Sequence, residues 1–324
     1  MNAWLTDEQQ AVRALARDFA RREILPRSAE FDQTQQFPHQ IFQDALKIGL
    51  VAANIPAEYG GAGMGSLEQA LVTEELAWAC VGITAAITLN ALIVDTILLG
   101  GSERQKAHYL GRLLSGQIGA YAVTEPGAGS DVANIQCRAE RTADSYRLNG
   151  SKTWISNATE ASFFIIFAKT DPDARHRGIT AFVIERDTPG FTVGKKLGKL
   201  GQRAAPAAEL FLENVAVPVE ARLGEEGSGF RLAMGVFDRS RPMVASFGVG
   251  LTQRCLDESL QYGRERRTMG QPIIQHQAVG HKIAEMGMRG EAARLLTHQA
   301  AHLLDQGRPN TLQAAYAKAY AADT

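Results

Sequence analysis

The sequence predicts an α+β fold in three successive blocks. A helical domain covers 1–119, an antiparallel β-barrel or sandwich covers 120–225, and a helical bundle covers 226–324. Three observations predict this order. Apolar residues recur at helical spacing up to about Gly119. From Ala120 short β-type runs take over, punctuated by Pro172, Pro189, Pro206 and Pro218, with no alternation of strands and helices. Helical spacing then returns from Gly227.

The elements follow in order. Thr6 and Gln9 have the spacing of a capping box, and Val12, Leu15, Ala16, Phe19 and Ala20 continue one helical face. A second helix runs from Pro38 through Ile41, Leu46 and Leu50. Tyr59-Gly60-Gly61-Ala62-Gly63 is a turn, because no strand and helix flank it as a dinucleotide loop needs. Helices follow at Ser66–Cys80, Ile83–Leu99 and Glu103–Leu114. Strands are expected at Ala120–Val123, Tyr146–Leu148, Lys152–Ile155, Phe163–Ala168, Ile179–Glu185, Phe191–Lys196 and Glu209–Leu212. Asn149-Gly150 reads as a type I′ hairpin turn between two of them. Phe230 to Cys255 suggests one long helix weakened by Gly248 and Gly250. Another helix carries Ile283 to Leu295, and a last one spans Leu312–Ala322.

Composition narrows the function classes. With 324 residues, 45% hydrophobic and 21% charged, the chain can bury a sizeable core. A formal net charge of −1 argues against nucleic acid as the main partner. Cys80, Cys137 and Cys255 are far apart with no CxxC pair, which disfavours a zinc site or disulfide framework. No signal peptide is visible, so a cytoplasmic location is expected. Val81 to Leu99 is apolar but carries Thr84, Thr88, Asn90, Asp95 and Thr96, which favours a buried helix over a membrane span. His298 and His302 have helical metal-ligand spacing, yet no third ligand accompanies them.

Tyr121-Ala122-Val123-Thr124-Glu125-Pro126-Gly127-Ala128-Gly129-Ser130-Asp131 is a β-type run that breaks into a loop of glycine, proline and hydroxyl residues. Such a loop brings backbone N–H groups and hydroxyls to an anion or a flat polar cofactor. On chemistry alone it is also an ordinary turn. The segment closely resembles the flavin-contacting segment of the acyl-CoA dehydrogenase family, nearest its short- and medium-chain branch. Further resemblance lies in EYGGAGM at 58–64, NGSKTWISNA at 149–158, FDRSRP at 237–242, RERRTMG at 264–270 and QHQA at 275–278.

The resemblance implies FAD as cofactor and an acyl-CoA as substrate. It implies α,β-dehydrogenation to a trans-2-enoyl-CoA, with electrons passed to electron-transfer flavoprotein. Tyr121, Ala122, Val123, Thr124, Gly129 and Ser130 are then expected to line the flavin. Trp154, Ile155 and Ser156 form its second wall, with Trp154 against the ring and Ser156 near N5. In isolation Trp154 reads as a half-buried strand aromatic. Ser130, Asp238 and Arg241 correspond to positions that meet the CoA, where guanidinium suits phosphate. Arg266, Arg267, Thr268, His276 and Gln277 correspond to the segment that binds the FAD of a neighbouring subunit. A homo-oligomer is therefore implied, a dimer or a dimer of dimers.

Four departures accompany the resemblance. The family's catalytic Glu sits in a Tyr-Glu-Gly-type motif near the C-terminus, and the sequence stops at Thr324 before one. The alternative base position, just before the Arg of FDRSRP, is Ser240. The sequence is therefore expected to be a C-terminally truncated piece, and no residue in it is assigned as the base. A hydroxyl-rich run after GQR is replaced by Ala204-Ala205-Pro206-Ala207, and Met269 replaces an aromatic. A non-catalytic acyl-CoA or partner-binding protein of the same fold is the alternative. A flavin oxidase or monooxygenase is a third reading.

Overall fold

The computed structural model describes residues 5–324. The chain first forms α1 (Asp7–Phe19), α2 (Ser28–Thr34), α3 (His39–Lys47), α4 (Ser66–Ala79), α5 (Val81–Thr88), α6 (Asn90–Gly100) and α7 (Glu103–Leu114). The strands β1 (Gly119–Ala122), β2 (Arg138–Arg141), β3 (Ser145–Ser156), β4 (Phe163–Lys169), β5 (Ile179–Glu185), β6 (Phe191–Lys196), β7 (Ala207–Pro218) and β8 (Arg222–Leu223) follow. Then come α8 (Gly229–Glu265), β9 (Arg267–Thr268), β10 (Gln271–Pro272), α9 (Gln277–Asp305) and α10 (Thr311–Asp323). These residues gather into two compact units. One comprises 30–63 and 85–237, and the other 5–29, 64–84 and 238–324.

The first unit is built on one sheet in the order β6-β7-β3-β2-β4-β5-β8, with β1 also paired to β4. β4 and β5 are buried on both faces, which is why they read as unbroken apolar runs. β7 alternates inward and outward residues along most of its length. Among the described residues the sheet is open and mixed rather than a closed, wholly antiparallel barrel: β1 runs parallel to β4, and β2 meets β4 in parallel at Arg138 and Lys169. A parallel pair needs a long crossover rather than a hairpin. The spacing of strand signals does not reveal one, so the expectation of a closed or wholly antiparallel β domain is corrected here.

The hairpin expected at Asn149-Gly150 is corrected too. β3 passes straight through it, with a register shift against β7 between Leu148 and Gly150. A Cβ on Gly150 would lie 2.8 Å from Cys137 Cα, so the glycine admits a neighbouring backbone instead of turning the chain. The helix expected over Ile83–Leu99 is two helices, α5 and α6, separated at Leu89. By length and composition Val81–Gly100 suffices to cross a membrane, but 78% of that window is buried in the protein.

The second unit is helical. The capping box at its start is present: Gln9 N–H donates to the Thr6 side chain, and the Gln9 side chain accepts from Thr6 N–H. α4 is buried along most of its length, and it carries the acids Glu74 and Glu75. Arg294 Nε reaches Glu74 Oε1 at 2.9 Å, and the Arg13 and Arg17 side chains reach Glu75 at 2.6 and 2.5 Å. The first turn of α4 has no capping side chain of its own. Asp305, at the end of α9, supplies it: Ser66 and Leu67 N–H donate to its two carboxylate oxygens at 2.6 and 2.9 Å.

One core cluster of this unit is made of small residues, Ala245, Val249, Ala293, Ala300, Ala314, Ala317 and Ala321. Small side chains let helices approach closely, and two glycines do the same. A Cβ on Gly248 would lie 2.3 Å from Ala321 O, and one on Gly250 would lie 2.4 Å from Glu74 O. These glycines do not break α8, which runs unbroken through them.

Candidate functional site

The expected flavin wall lies in the sheet unit. β1 delivers Tyr121 and Ala122, and the chain then leaves the sheet. Glu125 and Ala128 bond each other's backbones, N–H to O at 3.1 Å in both directions. This closes a tight loop with Pro126 and Gly127 exposed at its tip. Thr153 N–H donates to Thr124 O at 3.0 Å, so the loop is fastened to β3 immediately before Trp154. The structure thus brings Thr124 and Trp154 to one place from 30 residues apart in sequence.

Trp154 has two unusual properties. Its φ is +59°, a left-handed conformation costly for a non-glycine residue. It is 56% exposed although it sits in a strand of the central sheet. It lies within the register shift between Lys152 and Ile155, and such bulges re-aim side chains. Ser156 is exposed as well, whereas Ile155 is buried in the core. Ile155 therefore presents its backbone rather than its side chain to the wall.

These residues fit a flat heteroaromatic group with a polar edge. Gly127 and Gly129 leave bare backbone: a Cβ at either would meet nothing within 4 Å. Ser130 is exposed beside them, and Thr124 is half-buried. The Tyr121 hydroxyl is buried and has no hydrogen-bond partner among the described residues. Its ring is held edge-on by Phe167 and Phe237, and burial pushes its pKa far up, so it remains a neutral donor. An exposed aromatic ring, an orphaned donor and bare loop backbone suit the isoalloxazine of FAD.

The remaining candidate residues lie in the helical unit. Arg241 Nη1 bonds Asp238 Oδ1 at 2.5 Å, and Thr311 Oγ1 donates to Asp238 Oδ2 at 2.5 Å. Asn310 Nδ2 donates to Asp238 O at 3.0 Å. Asp238 is thus occupied by its own chain, and it orients the Arg241 guanidinium.

Arg267 and Thr268 form one strand of a two-residue hairpin, with Met269 and Gly270 both left-handed at its turn. His276 braces that hairpin from both ring nitrogens. Thr268 Oγ1 lies 2.9 Å from Nε2, and Gln271 Nε2 lies 3.2 Å from Nδ1. Arg266 and Arg267 are exposed, as is Gln277 at the first position of α9. Met269 is 94% exposed at the tip of this hairpin. The other candidates are explained locally: His302 pairs with Gln306, and His298 Nε2 lies 3.7 Å from Glu74.

Two departures from the family pattern also have structural answers. Ala204, Ala205 and Ala207 are buried, and the loop is held through its carbonyls: Asn157 N–H donates to Pro206 O at 2.6 Å, and Lys199 Nζ donates to Ala205 O. Ser240 is a buried hydroxyl. Two residues that had no role in the sequence reading, Glu125 and Lys152, lie buried behind the wall and bond each other. The only signal for them was a charge inside each motif.

Three family models match the chain: acyl-CoA dehydrogenase N-terminal domain over residues 6–117, middle domain over 120–215, and C-terminal domain over 227–324. The chain is 39% identical over 307 residues to a probable medium-chain specific acyl-CoA dehydrogenase 2, mitochondrial, of Caenorhabditis briggsae, covering 94% of this chain and 75% of that protein. Among solved structures it resembles butyryl-CoA dehydrogenase from Megasphaera elsdenii, with a TM-score of 0.94, 39% identity, and coverage of 98% of this chain and 85% of that one. It likewise resembles a glutaryl-coenzyme A dehydrogenase in complex with glutaryl-CoA, with a TM-score of 0.94, 41% identity, and coverage of 98% and 82%.

Proposed function

The chain belongs to the acyl-CoA dehydrogenase family, an enzyme class whose cofactor is FAD, and we propose that it converts an acyl-CoA thioester to the trans-2-enoyl-CoA. The observation that carries this reading is the exposed, left-handed Trp154 beside the Thr124 loop. Bound FAD supplies the acceptor for the hydride that leaves the β-carbon.

The chain's own residues bind, orient and exclude water. The Trp154 ring covers one face of the isoalloxazine and keeps solvent from it. Thr124, Ser156 and the Tyr121 hydroxyl offer donors to polar edges, and preorganised donors are worth most where water is excluded. Ser130 stands where the loop meets both cofactor and acyl-CoA. Arg241, oriented by Asp238, offers a planar guanidinium to a CoA phosphate. Arg266 and Arg267, on a hairpin braced by His276, offer charge to the diphosphate of FAD bound by a second copy. The working unit on this reading is a dimer or a dimer of dimers, and electron-transfer flavoprotein takes the electrons onward.

The test is an anaerobic titration of the FAD-loaded full-length protein with acyl-CoAs of graded length. Bleaching of the flavin band by at least one of them is expected. Colour that persists at every chain length counts against the proposal. A second reading, acyl-CoA binding without turnover, is favoured by Ser240, a hydroxyl at one of the family's two base positions. Saturable acyl-CoA binding with no bleaching selects it.

A further inference from the structure

Glu125 and Lys152 lie within the two segments that form the flavin wall, yet the proposed chemistry uses neither. Both are removed from water: the Lys152 side chain is 0% exposed and that of Glu125 is 6% exposed. Nζ bonds Oε1 at 2.7 Å and also donates to Val123 O at 3.0 Å. The carboxylate accepts further from Cys137 N–H on Oε1 at 3.0 Å and from Gln136 N–H on Oε2 at 2.5 Å. One carboxylate thus ties together three segments: the 123–128 loop, the stretch leading into β2, and β3.

A buried ion pair is an inefficient source of stability. Desolvating both charges offsets most of their attraction, and an apolar pair of similar volume often does as well. Its use is to impose one arrangement of the segments it joins, because each donor and acceptor must be met. The segments joined here are those that need it. Trp154, two residues beyond Lys152, holds a conformation that persists only where its surroundings over-determine it. On the N-terminal side that constraint is the Thr153 N–H to Thr124 O bond, flanked directly by Lys152 and Glu125. On the C-terminal side it is Ile155 paired with Ala208, and Asn157 N–H bonded to Pro206 O.

We propose that the Lys152–Glu125 pair is the positioning device of the flavin wall. It fixes the Thr124 loop against β3 and thereby sets the angle of the Trp154 ring. Neither residue touches cofactor or substrate; both act through Thr124 and Trp154. The inference rests on the flavin reading of this wall.

The test uses the full chain with Lys152→Met, Glu125→Gln and the double variant. Circular dichroism melts of the cofactor-free proteins report the fold. FAD titration reports affinity, and quenching of flavin fluorescence reports stacking on Trp154. The neutral double variant is expected to keep a cooperative melt within a few degrees of the parent. It is also expected to bind FAD at least tenfold more weakly, with flavin fluorescence clearly less quenched. Lys152→Met alone is expected to be worse on both counts, because it leaves a carboxylate buried without its cation. A double variant that binds and quenches as the parent does overturns the proposal. So does one that no longer folds, since the pair then serves the fold and not the wall. A parent chain that itself fails to bind FAD overturns the flavin reading, and the positioning role with it.

Discussion

Gly250→Ala sets two opposing effects against each other, and the structure decides between them. A glycine inside a helix costs about 1 kcal/mol relative to alanine, so propensity favours the substitution. Packing opposes it. The new Cβ meets Glu74 O at 2.4 Å, Ala77 Cβ at 2.8 Å and Trp78 N at 2.9 Å. Comfortable contacts lie near about 3.5–4.0 Å, so α8 and α4 must move apart by about 1 Å. None of the three atoms is the end of a flexible side chain, so none can rotate aside. Overpacking of this kind costs about 1–3 kcal/mol. The displacement also disturbs Glu74, whose partner Arg294 is 2.9 Å away. The clash therefore outweighs the propensity, and a net loss of up to about 2 kcal/mol is expected. Gly111→Ala is the control. It lies on the exposed side of α7, its Cβ meets nothing within 4 Å, and it should gain about 0.5–1 kcal/mol. Urea unfolding followed by helical circular dichroism measures both. A Gly250→Ala midpoint at or above the parent's refutes the reasoning, as does a loss of the same size at Gly111.

Three further outcomes are expected. Trp154→Gly releases about 1–2 kcal/mol of left-handed strain and gives back about 0.4–1 kcal/mol through the unfolded chain. The cofactor-free melt should stay level or rise while FAD affinity falls at least tenfold; a lower melt with unchanged affinity contradicts this. Asp238→Ala removes the carboxylate that Arg241 and Thr311 bond, which should cost about 1–2 kcal/mol in stability and weaken CoA binding in a salt-dependent way. Equal affinity of parent and variant at low salt removes Arg241 from the CoA site. Burial pushes the Glu74 carboxyl upward, but His298, Arg294 and Arg13 more than reverse this and hold it below the usual range. Its contribution is thus complete above the unfolded value of about 4.3 and is lost as pH falls through the lower folded value. The stability of Glu74→Gln should therefore fall less steeply with acid below about pH 4 than that of the parent; parallel curves argue otherwise.

The block order was legible because burial leaves a period in each segment. The doubly buried β4 and β5 read as apolar runs, and the Thr6–Gln9 capping box needed only local chemistry. Sheet topology was not legible. β1 pairs in parallel with β4 across some 40 residues, and Gly150 meets Cys137 just before β2, so a glycine for close approach looked like a turn. The motifs named the residues of the proposed wall, but not their orientation. Trp154 and Ile155 exchange faces with a one-residue change of register, and the register depends on a bulge. A lone charge in a strand or a loop carries no pattern of its own, which hid Lys152 and Glu125. Arg294 and Glu74 are 220 residues apart, beyond the reach of any local pattern.

The cap that Asp305 places on α4 has a consequence for how the protein is made. Ser66 leaves the ribosome 239 residues before the side chain that completes its helix. At about 5–20 residues per second, that interval is roughly 12–50 s. The larger part of the sheet unit, residues 85–237, emerges within it. α1 and α4, with the buried acids Glu74 and Glu75, must wait for Arg294 and Asp305. A nascent chain halted near residue 240 should therefore carry a protease-resistant sheet and an N-terminal segment still open to chaperones.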